Sequence, residues 1–130
     1  MDYDEFLTRV INEGIAAAKS DYTKPVDKAR LKGSIEGFEA CRDKTPEGLK
    51  TLLMESGVKS HEAYRRVNEK EISDDEYWRL NCFELEVRWV CNVLSGLLMN
   101  AGLPTIVPPT ARGVMKGAEI VGVKGAGDSK

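Results

Sequence analysis

Apolar residues recur every three or four positions along nearly the whole chain, the spacing of one face of a helix. The first run holds Phe6, Val10, Ile11, Ile15 and Ala18, and Asp2 with Glu5 three residues on reads as a capping box at its start. The stretch "SDYTKP" (20–25) breaks the run, because Pro25 forces the residue before it away from helical angles. A second helix is expected over about 25–42, with Leu31, Ile35 and Phe38 as its large apolar stripe. A second stripe is small: Ala29, Gly33, Gly37 and Cys41 recur at every fourth position. Glycine costs about 1 kcal/mol in a helix relative to alanine, so two on one face predict a close neighbour. The Gly14 and Ala18 face of the first helix is the expected one, with a ligand groove as the other reading.

The pattern continues through two shorter segments. Thr45 suits an N-cap and Pro46 the first helical position. Leu49, Leu52 and Leu53 then face inward, and Gly57 is expected to end this third helix. Ser60 reads as the cap of a polar fourth helix to about Lys70, anchored by Ala63, Tyr64 and Val67. "SDDEYW" opens the next helix: Ser73 and Glu76 form a capping box, and Asp74 and Asp75 complement the helix dipole. That helix spans about 73–101, roughly 42 Å at 1.5 Å per residue, and Gly102 before Leu103 and Pro104 stops it.

The expected fold is all-α: a small helical bundle around one long central helix. A short extended segment at about 105–107 precedes a C-terminal helix, capped by Thr110 and running to about Val121. One domain covers 1–122, and the glycine-rich 123–130 is expected to be a loose tail. From 87 to 99 the long helix is apolar almost all round, so it is either central in its domain or buried between subunits. With only short partners in the chain, an interface in a homo-oligomer is the expectation.

Composition removes several function classes. A chain of 130 residues with 19 basic and 21 acidic side chains lacks the basic excess of a dedicated nucleic-acid binder. Its nearest basic cluster, Lys59, Arg65, Arg66 and Lys70, is interrupted by Glu62, Glu69 and Glu71. "MDYDEF" has no apolar core of a signal peptide, and no apolar run has the length of a bilayer span. A cytoplasmic protein with no membrane partner is expected. Cys41, Cys82 and Cys91 fit that setting as buried free thiols.

Catalytic and metal motifs are missing. "HEAYR" at 61–65 begins like a zinc protease motif, but Arg65 stands where the second histidine is needed, and His61 is the one histidine of the chain. No zinc set, nucleophile elbow, phosphate loop or dinucleotide fingerprint is present. No catalytic residue, metal or cofactor is therefore assigned. The acidic pairs Asp74–Asp75 and Glu84–Glu86 leave open a carboxylate site built from several helices.

Two stretches can hold a ligand. The long helix carries a narrow polar stripe, Asn81, Glu84, Arg88, Asn92 and Ser95, which continues into its most apolar part. It reads as a solvent face or a pocket wall. A buried Asn92 needs partners, which are either a helix register contact or a polar ligand met together with Arg88. Phe83 and Trp89 offer a stacking face or ordinary core packing. In "PPTARGVMKGAEI" (108–120), Thr110 opens a helix whose first amides, at Ala111, Arg112 and Gly113, lack intrahelical acceptors. Such a start suits an anion. Gly113 admits close approach, the Arg112 fork matches phosphate, and Lys116 lies one turn on. The competing reading is a capped terminal helix with Lys116 paired to Glu119.

The segments "GSIEGFEACRDKTPEGLKTLL" and "WVCNVLSGLLMNAGLPTIVPPTARGVMKGAEIVG" resemble small helical proteins encoded by phages and prophages. Some proteins of that kind are oligomeric sponges for nucleotide immune signals. The resemblance implies a non-catalytic protein that sequesters a small phosphorylated ligand, a nucleotide or cyclic nucleotide, as a counter-defence. The alternative is a phage structural or adaptor protein acting through protein–protein contacts.

Overall fold

The computed structural model describes residues 2–122; the expected tail over 123–130 lies outside the described residues. Five α-helices account for the architecture, and among the described residues there is no strand. α1 spans Tyr3–Asp21, α2 Lys28–Ala40, α3 Pro46–Asn68, α4 Asp74–Asn100 and α5 Ala111–Ile120. The expected bundle around one long helix is the observed one: α4 packs against each of the other four.

The helix starts follow local chemistry. Asp2 accepts the Glu5 N–H at 2.8 Å, Thr45 the Gly48 N–H at 3.0 Å, Ser73 the Glu76 N–H at 3.1 Å and Thr110 the Gly113 N–H at 3.1 Å. Each satisfies one donor that a helix start otherwise leaves bare. At the second helix the start differs. Pro25–Asp27 winds as a tight 3-10 turn, and the α-helix begins only at Lys28.

Gly57 does not end a helix. The two expected segments are one continuous α3, and Ser60 lies buried within it rather than capping anything. A glycine stops a helix by taking left-handed backbone angles. Here Lys70 takes them instead, with φ 60°. The Glu71 N–H closes back on the Arg66 carbonyl at 2.8 Å, the six-residue closure of a helix end. Gly102, with φ 72°, performs the same role after α4, where the Leu103 N–H reaches the Leu98 carbonyl at 2.9 Å.

The small stripe of α2 meets α4, not α1. A Cβ on Gly33 would overlap the Arg79 carbonyl, and one on Gly37 would sit 2.6 Å from the Phe83 carbonyl. The two helix backbones therefore touch. The Gly14 face of α1 is covered by the ring of Phe38. α5 approaches α4 in the same way: a Cβ on Gly96 would lie 2.7 Å from Val114 Cα, and one on Gly113 would lie 2.9 Å from the Asn92 carbonyl.

The apolar run of the long helix is buried within its own chain. Val87, Val90, Cys91, Val93 and Leu94 are each at most 1% exposed, and Leu97 packs against the same core. From 87 to 94 the run is covered by α2, α3, α5 and α1, so its burial needs no second subunit, while Leu85, Arg88 and Met99 of α4 stay exposed. The segment before α5 is held but forms no strand. Ser95 accepts the N–H groups of both Ile106 and Val107 at 3.0 Å, and Ile106 seals the core end.

Two glycines in helix interiors should respond oppositely to alanine. Gly33→Ala overpacks the α2–α4 contact and should lower unfolding free energy by about 1–3 kcal/mol. At Gly57 a Cβ would meet nothing within 4 Å, so Gly57→Ala should raise it by about 0.5–1 kcal/mol. Urea denaturation of the two variants measures both.

Candidate functional site

The joint between α4 and α5 is built from Asn92. Its Nδ2 donates to the Arg88 carbonyl at 3.1 Å, and its Oδ1 accepts the Thr110 N–H at 3.2 Å. Asn92 thus holds the start of α5, and Thr110 spends its hydroxyl on Gly113. Of the amides expected to face an anion, that of Gly113 is capped. The backbone of Gly113 is buried against α4, so its missing side chain serves helix packing and not ligand approach. Arg88 lies outward and pairs with Glu84, its Nε donating at 2.7 Å. Phe83 packs at the core's edge, on the turn of α4 that Gly37 of α2 covers.

Three of the expected residues do come together. Trp89, Arg112 and Lys116 line one cleft of about 540 Å³ between α1, α4 and α5. Val10, Gly14, Ala17 and Ala18 of α1 form its apolar wall, and Phe38 of α2 and Ile120 of α5 also contribute. The Arg112 guanidinium carbon lies 5.9 Å from the centroid of the Trp89 ring, within cation–π range. Lys116 is already engaged, 3.4 Å from Glu13 and 3.2 Å from Glu119. Burial presses its pKa down, and the hydrogen bonds to Glu119 and Glu13 more than reverse this. Glu13 is held below the usual carboxylate range by its hydrogen bond from Arg9, with Lys116 adding to the effect.

The rest of the cleft was not legible from sequence. Asp21 and Tyr22 at the end of α1 and Glu86 on α4 also line it. Glu86 reads in sequence only as one of a pair with Glu84, yet the two carboxylates differ in role. Glu84 is paired to Arg88. Glu86 has no cation within ion-pair distance among the described residues. Burial raises its pKa, the neighbouring Ser34 hydroxyl eases it slightly, and Asp21 raises it again. Ser34 is fully buried, and its Oγ makes no well-formed hydrogen bond of its own. The sequence signal that could have pointed here is the stripe Gly14, Ala17, Ala18 and Asp21 on α1: small residues over two turns, closed by an acid.

The cysteines are inert in this setting. Burial pushes the Cys41 and Cys91 thiols up to about 12, and it raises Cys82 as well. A thiolate nucleophile at neutral pH is disfavoured at all three. Among the described residues no three side chains of metal-ligating type converge.

A carboxyl whose pKa is raised by folding holds its proton to higher pH when native than when unfolded. Stability contributed by Glu86 is therefore full below the unfolded pKa and falls as pH rises through the folded one. Glu86→Gln should accordingly raise the melting temperature at pH 7, and the gain should shrink towards zero at pH 4. Thermal melts of both proteins across that range check the sign.

No protein-family model, curated protein or solved structure matches this chain.

Proposed function

We propose that this chain is a non-catalytic binding protein whose α1–α4–α5 cleft sequesters a small phosphorylated ligand with a planar ring, most simply a nucleotide or cyclic nucleotide signal. One observation carries the reading. Arg112 has no carboxylate partner among the described residues and lies over Trp89, at a cleft large enough for such a ligand. Small-molecule sites span about 300–1,000 Å³. Arg112 supplies the fork that matches phosphate, and Trp89 supplies a ring face, on which base stacking contributes about 1–3 kcal/mol. The phosphate contact is assigned to this side chain rather than to the capped helix start at Thr110. Asn92 holds the start of α5 and Arg88 pairs with Glu84, and neither lines the cleft.

Binding without turnover is part of the proposal; the cleft's ionisable groups are Glu13, Asp21, Tyr22, Glu86, Arg112 and Lys116, with no Ser, Thr, Cys or His beside them. The sequence's likeness to small phage proteins suggests the setting: a sponge for a nucleotide immune signal. Self-association belongs to the proposal through a different surface from the one first expected. On α3, Met54 and Val58 are 66% and 67% exposed on one face with Gly57 and His61. The same strip favours the second reading, an adaptor that engages another protein through α3.

Isothermal calorimetry against a nucleotide panel tests the binding reading. Hydrogen bonds to charged groups contribute about 1.5–3 kcal/mol. Arg112→Ala should therefore weaken the best ligand at least about tenfold while the helical spectrum is unchanged. Lys59→Ala, exposed on α3, should leave affinity as it was. Equal affinity for wild type and Arg112→Ala sinks the phosphate assignment, and a ligand recovered chemically altered sinks binding without turnover. A stoichiometric protein partner lost on Met54→Glu, with no nucleotide binding, would favour the adaptor.

A further inference from the structure

The cleft holds two opposite charges that the fold leaves unpaired. Arg112 has no carboxylate within ion-pair distance, and Glu86 has no cation within that distance, among the described residues. Both line the same cleft, yet they do not meet each other. Trp89 neighbours both: Glu86 is one turn before it on α4, and Arg112 lies over its ring. The other charges of the cleft are accounted for differently. Lys116 and Glu13 neutralise one another. Asp21 stands with Glu86, close enough to disfavour its ionisation.

Arg112 is exposed and open to a ligand, whereas Glu86 is half-buried, and a half-buried ion without a partner costs stability of the kind proteins keep at working sites. The backbone of the fold sharpens the polarity. α1 ends at Asp21, so its negative dipole end lies at the acidic side, while α5 begins at Ala111, so its positive end lies at Arg112. A ligand that is anionic throughout would satisfy Arg112 and be repelled by Glu86 and Asp21. A ligand that is anionic at one end and offers hydrogen-bond donors at the other would satisfy both.

Resting on the nucleotide-binding reading above, we propose that the cleft selects a ring with a donor edge. The nucleobase with that chemistry is guanine, held with its phosphate on Arg112, its ring on Trp89 and its N1–H and N2–H groups on the Glu86 carboxylate. Two adjacent donors match the two oxygens of a carboxylate, as a guanidinium does. Adenine presents an acceptor at N1 beside its amino group, which a carboxylate repels. Hypoxanthine keeps the N1–H and loses the N2 amino group, so it falls between them. A site built to hydrogen-bond a polar group discriminates strongly against an analogue lacking it, because its own buried groups are then left bare.

Calorimetry with guanosine, inosine, adenosine and uridine monophosphates tests this. The expected order is guanosine above inosine above adenosine, with at least about a tenfold advantage for guanosine over adenosine. Glu86→Gln should erase most of that advantage and leave adenosine monophosphate binding unchanged or tighter. Arg112→Ala should weaken all of them alike. Thermal melts confirm that both variants fold. If the four nucleotides bind equally and Glu86→Gln changes nothing, the donor-edge assignment is overturned while nucleotide binding stands. If none binds, the nucleotide reading itself falls and takes this assignment with it.

Discussion

The fold depends on backbone-to-backbone contact along α4. Gly33 and Gly37 let α2 lie directly on one side of it, and Gly96 with Gly113 lets α5 lie on another. Each contact leaves no room for a Cβ, so register and crossing point are set by atoms that cannot change rotamer. Close contact of this kind gains dispersion along its whole length. It also explains how the apolar stretch in the second half of a 27-residue helix is covered by partners of which two are only 13 and 10 residues long. Short helices cover more of α4 when nothing holds them off it.

The cleft is a consequence of the same packing. With α5 pressed on α4 through glycine, its larger residues Arg112, Lys116 and Ile120 project to the side, towards α1. The small residues Gly14, Ala17 and Ala18 of α1 leave space opposite them. Asn92 and Ser95 lock this geometry from the α4 side by taking up N–H groups of the segment leading into α5. Polar residues on the long helix therefore have two fates. Those nearest the α5 joint hold the backbone, and Glu86, on the neighbouring face, is left facing the cleft.

Local signals were legible where one residue's chemistry decides the outcome. Asp2, Thr45, Ser73 and Thr110 cap helices because a short side-chain oxygen reaches an N–H three residues on. Gly57 misled because open helix interiors tolerate a glycine, and the actual stop used a lysine in a left-handed conformation, which carries no sequence mark. The glycine stripe announced close packing, but its partner is a long-range fact: Gly33 meets Arg79, far along the chain. At the site, Trp89, Arg112 and Lys116 were readable as ligand-binding types. Glu86 was not, because Glu84 two positions away is chemically identical and only tertiary contacts decide which of them finds an arginine. Asn92 and Gly113 were visible as unusual, but the demands they meet are structural.

The proposed planar anionic ligand, seated on Trp89 with Arg112 and Glu86 at its two ends, can be followed through the tryptophans. The chain has two tryptophans, and the other, Trp78, packs with Tyr77 and under Arg30 near the start of α4, about three turns from Trp89. Each gives one indole N–H signal in a nitrogen-15 correlation spectrum. On titration with guanosine monophosphate the Trp89 signal should shift saturably while that of Trp78 stays in place. A Trp89 signal unmoved at saturating nucleotide, or a shift confined to Trp78, would contradict the claim.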